Sequence, residues 1–251
     1  MSPIRTDTVI GNARIALADR VIDQGWVAGP RIFTSGKSLA TTVSFPAARG
    51  VTELTVVAPD HPWLLSIIAG AYAVAGANIV DAQIFTTTDG RALDTISVSR
   101  EFELDTDEAR RAARITDSIE KALRGDLRLP EVVAKRASAK ARLKAFAVVP
   151  DVTINNGWSN RYTMVEVTGL DRPGLLFELT ATLSKLNLNI GSAHVATFGE
   201  RVVDVFYVTD LFGAKITAAT RQATIKRALI GLLSSSQEPG GKPAKTAAAV
   251  G

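Results

Sequence analysis

One stretch of this 251-residue chain is present twice. Thr52-Glu-Leu-Thr-Val-Val-Ala-Pro-Asp60-His-Pro62-Trp63-Leu64-Leu65, with Gly76-Ala-Asn78-Ile79 after it, returns as Thr163-Met-Val-Glu-Val-Thr-Gly-Leu-Asp171-Arg-Pro173-Gly174-Leu175-Leu176, with Asn187-Leu-Asn189-Ile190 after it. Asp60 and Asp171 stand 111 positions apart, and that spacing holds through both Asn-Ile pairs. It shortens to 110 between Asp94 and Asp204, because the turn Thr87 to Gly90 is one residue longer than the turn around Gly199. A one-residue slip inside a turn, with both flanks in register, marks the duplication of a folded unit. The chain is expected to hold two copies of one small domain.

That expectation suits the length, which leaves room for two modest cores and flanking segments. Forty-six per cent apolar and 22% charged residues are ordinary for a globular chain, and no apolar run is long enough to cross a bilayer. Absence of cysteine rules out disulfides, thiolate metal sites and cysteine nucleophiles. The Met1-Ser-Pro-Ile-Arg start lacks a secretory h-region, so a cytoplasmic location with no membrane partner is expected. The net charge of +4 comes from 29 basic and 25 acidic residues that are mostly interspersed. The densest basic run, Lys135 to Lys144, reads as a solvated linker and not as a patch that tracks phosphates.

Residues 1–50 read as a lead-in segment with one short helix around Ala13 to Ile22. In the first copy, residues 51–125, Glu53 to Val57 alternates as a strand, and Leu64, Leu65, Ile68, Ala71, Tyr72 and Ala75 recur at helical spacing until Gly76. Asn78 to Thr86 and Leu93 to Val98 read as a hairpin, and Ala112, Ile115, Ile119, Ala122 and Leu123 stripe a second helix. A closing strand is expected within 146–154, from Phe146 to Val149 or from Val152 to Ile154, inside a basic linker over 126–160. The second copy, residues 161–233, repeats this order, and the low-complexity tail 234–251 is expected to be disordered.

The chemistry of the repeat lies at its first turn. A proline at the first helical position loses no hydrogen bond and leaves the N–H groups of Gly174, Leu175 and Leu176 free at a positive helix end, where a carboxylate can bind. Gly174 has no Cβ to bar approach to the backbone, Asp171 can pair with an ammonium group, and the Asn189 amide can bond a polar side chain.

A strand-helix-strand-strand-helix-strand unit with Asp-x-Pro-Gly-Leu-Leu at its first turn resembles the ACT domain, a ferredoxin-like regulatory module that binds amino acids. Asp171 to Leu176 and Leu188-Asn-Ile190 carry the resemblance in the second copy; Asp60 to Leu65 and Ala77-Asn-Ile79 carry it in the first. From about Ser38 to about Leu233 the text is similar to the C-terminal tandem ACT region of the alphaproteobacterial family of bifunctional uridylyltransferase and uridylyl-removing enzymes that act on the PII nitrogen-signalling protein. The resemblance implies an α+β protein of two βαββαβ domains that senses an amino acid, glutamine above all, in a PII system, with PII as a partner of the full-length protein. It also implies sites between the first loop of one domain and the second strand of a neighbour. The candidate ligand-binding residues are therefore Asp171, Gly174, Leu175, Leu176, Asn189 and Ile190 in the second copy, with Asp60, Trp63, Leu64, Asn78 and Ile79 in the first. Because Trp63 stands where the second copy has Gly174, the second copy is expected to be the better receptor. Open sheet edges and shared sites point to a homo-oligomer.

No catalytic or metal-ligating residue is assigned. With only His61 and His194, a histidine-rich metal centre cannot be built, and any Mg²⁺ would belong to catalytic domains absent from this chain. Asp105-Thr-Asp107 reads as a helix cap, and Gly36-Lys37-Ser38 lacks the earlier glycine of a phosphate loop because Arg31 is there. Two rival readings are a dimerisation module without a ligand and an RNA-binding ferredoxin-like module. The second is disfavoured, since Ile96-Ser-Val98 and Val205-Phe-Tyr-Val208 lack the base-stacking pattern; no nucleic-acid partner is expected.

Overall fold

Alternating apolar residues mark the strands, and Gly76 and Asn187 end two of the helices. A computed structural model describes residues 31–35, 39–46, 49–87, 89–140 and 148–235. Fourteen elements follow in order: β1 (Arg31–Ser35), β2 (Leu39–Ser44), β3 (Val51–Pro59), α1 (Leu64–Ala75), β4 (Ile79–Thr86), β5 (Arg91–Ser99), α2 (Asp105–Leu123), α3 (Leu129–Lys140), β6 (Asp151–Asn155), β7 (Thr163–Leu170), α4 (Leu175–Lys185), β8 (Leu188–Phe198), β9 (Arg201–Asp210) and α5 (Ala219–Ser235). Gly76 ends α1 in the left-handed region, at φ 74°. Asn187, 111 positions later, does the same after α4 at φ 55° and is the one non-glycine residue with positive φ among the described residues. Gly and Asn are the residues that tolerate this helix stop. The helix expected over 13–22, Phe146 and most of the tail lie outside the described residues.

The strands form one antiparallel sheet in the order β1-β2-β3-β5-β4-β8-β9-β7-β6. Each repeat is a ferredoxin-like α+β unit, but the source of its edge strand corrects the expected βαββαβ order. The strand beside the first strand comes from before it and not from after the second helix: β2 pairs with β3, and β6 pairs with β7. The registers obey the repeat, since Val43 faces Leu54 and Ile154 faces Val165, each pair 111 positions from its equivalent. Residues 151–155 therefore close the second sheet, not the first. Two parts of the expected lead-in are strands: 39–44 completes the sheet of the first unit, and 31–35 pairs outside it. Only six residues separate β2 from β3, a length that allows direct antiparallel pairing where the other order would need a crossover.

The expected linker is structured in two places. Its α3 buries Leu129 and Val133, and Leu129 Cδ1 lies 2.9 Å from where a Cβ on Gly70 of α1 would stand. Leucine, isoleucine, alanine and tyrosine side chains are buried along much of α1, which packs against α2, α3 and α4. A helix so apolar is stable only when covered on several sides. Leu54, Val56 and Ala58 point to the same side and join both repeats in one core. The two halves meet strand to strand, with β4 antiparallel to β8 and Ile84 opposite Ala193. Among the described residues no helix is long and apolar enough to cross a membrane.

Candidate functional site

Joining the repeats through their second strands sets each first loop against the start of the other repeat's second strand. Asp171, Gly174, Leu175 and Leu176 come together with Asn78 and Ile79 around a cavity of about 260 Å³. Asp60 and Leu64 come together with Asn189 and Ile190, but the space there is only about 10 Å³. Of the eleven sequence-derived residues, Trp63 alone lines neither space. Its side chain is 41% exposed, so the indole does not itself fill the smaller site.

The two loops take different paths at that position. Trp63 precedes α1 with φ −102° and ψ −3°, which any residue can adopt, whereas Gly174 precedes α4 with φ 84° and ψ 2°. A Cβ at Gly174 would also collide with Val133 Cγ1. Packing of α3 therefore requires glycine here, apart from any ligand. The prolines precede these cap residues, so neither holds the first helical position. Leu175 N–H donates to the Arg172 carbonyl at 3.1 Å and is not free as expected. The N–H groups of Gly174, Leu176 and Phe177 are those at this helix start that find no acceptor among the described residues. Free N–H groups at a helix start favour an anion.

What closes the smaller site is a hydroxyl that the repeat does not share. Ser184 on α4 donates to the Pro62 carbonyl at 2.6 Å and holds the first loop against the second unit. The residue in the equivalent place on α1 is Ala73, which lines the larger cavity and can make no such bond to Pro173. The Thr86 hydroxyl donates to Asp60 at 2.8 Å, which further fixes that loop.

Beneath each loop lies a buried carboxylate whose role sequence reasoning missed. Asp204 borders the larger cavity and is 1% exposed; Asp94 holds the same place in the smaller one and is 1% exposed. Burial, helped by the nearby Asp171, pushes Asp204 up to about 7. Burial and Asp60 hold Asp94 well above the usual carboxylate range, and burial together with Asp94 raises the Tyr72 hydroxyl. Both Asp94 oxygens and Asp204 Oδ1 lack a hydrogen-bond partner among the described residues. An acid inside an alternating apolar run, as in Leu93-Asp94-Thr-Ile96 and Val203-Asp204-Val205, was the available signal. Arg172, which lines the cavity, pairs with Glu178, and its Nε is buried with no hydrogen-bond partner among the described residues. His194 lies on β8, 4.0 Å from Asp81, and no group of three metal-binding side chains occurs among the described residues.

Residues 163–225 match the ACT domain family. The chain is also similar to proteins named bifunctional uridylyltransferase/uridylyl-removing enzyme. The one from Rhodopseudomonas palustris is 70% identical over 79% of this chain, and the one from Nitrobacter winogradskyi 71% identical over 80%. A third, from a Bradyrhizobium species, is 68% identical over 80%. The chain spans about 22% of the length of each of these curated relatives.

Proposed function

We propose that this chain, which carries an ACT domain and matches about a fifth of the length of bifunctional uridylyltransferase/uridylyl-removing enzymes, is the amino-acid-sensing region of such a system, with glutamine as its ligand. The observation that carries this reading is the 260 Å³ cavity between the Asp171 to Phe177 loop and the Asn78-Ile79 strand start. It is a little smaller than the roughly 300–1,000 Å³ sites of drug-sized ligands, a size suited to a free amino acid. The ligand carboxylate is placed at the free N–H groups of Gly174, Leu176 and Phe177, the ammonium group near Asp171, and the side chain towards Asn78. This site lies between two repeats of one chain, so a homo-oligomer is not needed to complete it. The first loop, held by Ser184, serves as a closed partner and not as an equal receptor.

PII is the proposed partner of the whole system, in the cytoplasm, and neither uridylyl transfer nor removal is assigned to these 251 residues. Incubation of the chain with PII, UTP and Mg²⁺ is expected to leave PII unmodified. Thermal melting in the presence of each L-amino acid tests the sensing role, because a ligand of the native state adds RT ln(1 + [L]/Kd), about 2.7 kcal/mol at a hundredfold excess over Kd. Glutamine should raise the melting temperature more than the other amino acids. A chain that responds to none of them would favour the module without a ligand.

A further inference from the structure

Resting on the amino-acid reading of the larger cavity, we infer that Asp204 is its cation receptor: the ligand must present a charged amino group that sits between Asp171 and Asp204 and binds the ionised form of Asp204. Three observations converge on this. Asp204 is almost wholly buried, yet it borders an open cavity. Its Oδ1 has no hydrogen-bond donor among the described residues, and a buried carboxylate oxygen without a partner is costly unless a ligand supplies one. Asp171 lies close enough for its charge to disfavour a second charge on Asp204. Two carboxylates that repel across a cavity are relieved by a cation between them.

The other repeat shows the alternative. Asp94 has the same relation to Asp60, but the separate space it borders is only about 10 Å³, and the buried Tyr72 hydroxyl lies within reach of its charge. Leu183 takes the place of Tyr72 in the second unit, so Asp204 has no phenol beside it. The titratable groups bordering the larger cavity are Asp171, Arg172 and Asp204, and Arg172 is engaged by Glu178. The Asp204 carboxylate accepts from the Ala196 N–H, but among the described residues nothing donates to its Oδ1, and the proposal gives that place to the ligand.

Since burial and Asp171 put the Asp204 equilibrium at about 7, a bound ammonium group has to drive a proton off it below neutrality. Binding should weaken by roughly tenfold or more between pH 8 and pH 5.5, as the ionised fraction falls. At pH 6.5 it should release a proton, so that the heat of binding changes with the ionisation enthalpy of the buffer.

The test is calorimetry on the full chain with L-glutamine, with N-acetyl-L-glutamine, which has no cationic nitrogen, and with the variants Asp204→Asn and Asp94→Asn. The proposal expects glutamine to bind the parent and Asp94→Asn alike, Asp204→Asn to lose at least tenfold together with the buffer dependence, and the acetylated ligand to fail. Equal binding by Asp204→Asn, or equal binding of the acetylated ligand, overturns the proposal and leaves the amino-acid reading standing. Failure of the parent to bind any amino acid overturns both. Should Asp204→Asn not fold, as judged by melting, the pH series and the acetylated ligand on the parent decide alone.

Discussion

Ser184 and Pro62 are joined by a 2.6 Å hydrogen bond across the two repeats, a tie that the loop at the larger cavity lacks. Ala73, in the place of Ser184, leaves the Pro173 loop without such a tie. Ala73→Ser should therefore weaken glutamine binding by roughly tenfold, as the new hydroxyl bonds the loop and fills part of the cavity. Ser184→Ala should loosen the first loop and add a weaker second site, seen as a rise in stoichiometry. Trp63→Gly alone should change little, since the indole borders neither space.

Gly174 is held by conformation and by contact. Gly174→Ala should destabilise the chain by about 1–3 kcal/mol, from its positive φ and from the Cβ that would press on Val133. Val133→Ala in the same chain should recover part of that loss, because it removes the methyl group that is struck, while the backbone strain remains. Denaturant melts of the two single variants and the double variant measure the coupling. A Gly174→Trp variant would lose binding for either reason, so it does not discriminate between them.

The two first turns were legible in the sequence because the 111-residue offset and the Asp-x-Pro turns recur, whereas their meeting with the other repeat's second strand was expected only from the resemblance. The first helix and the strands of the hairpins followed from periodicity and from the Gly76 stop. The edge strands were not legible, since 39–44 and 151–155 are short and pair with neighbours that either order of connection could have supplied. The same is true of α3, whose basic residues read as solvated while Leu129 and Val133 face inward. Asp94 and Asp204 were visible as letters, but their importance depends on the burial that the sheet imposes.

Glu108 anchors the start of α2. Its carboxylate accepts from the Thr52 hydroxyl at 2.6 Å and from the Glu101 and Phe102 N–H groups at 2.7 and 2.8 Å, with Arg111 alongside. Burial opposes its charge, but these donors win and hold its titration below the ordinary range. Glu108→Ala leaves several buried donors without an acceptor, and should cost roughly 3 kcal/mol in a denaturant melt.

Stability should then respond to pH in two opposite ways. Because the folded-state titration of Glu108 is lowered, its contribution is present above its ordinary value of 4.5 and is lost as pH falls through the lowered one. Asp204 is raised from 3.8 to about 7, so its contribution is full below about 4 and is lost as pH rises through 7. Asp204→Asn should accordingly raise the melting temperature more at pH 8 than at pH 5, when both are compared with the parent without ligand. A shift of equal size at the two pH values would contradict a buried carboxylate whose charge burial and Asp171 disfavour.

The most direct measurement is a calorimetric titration of the unmodified chain with L-glutamine at pH 8. The larger cavity predicts saturable heat with a stoichiometry near one and a Kd on the order of 10 µM to 1 mM. The absence of saturable heat up to about 10 mM, or two equal sites per chain, would contradict it.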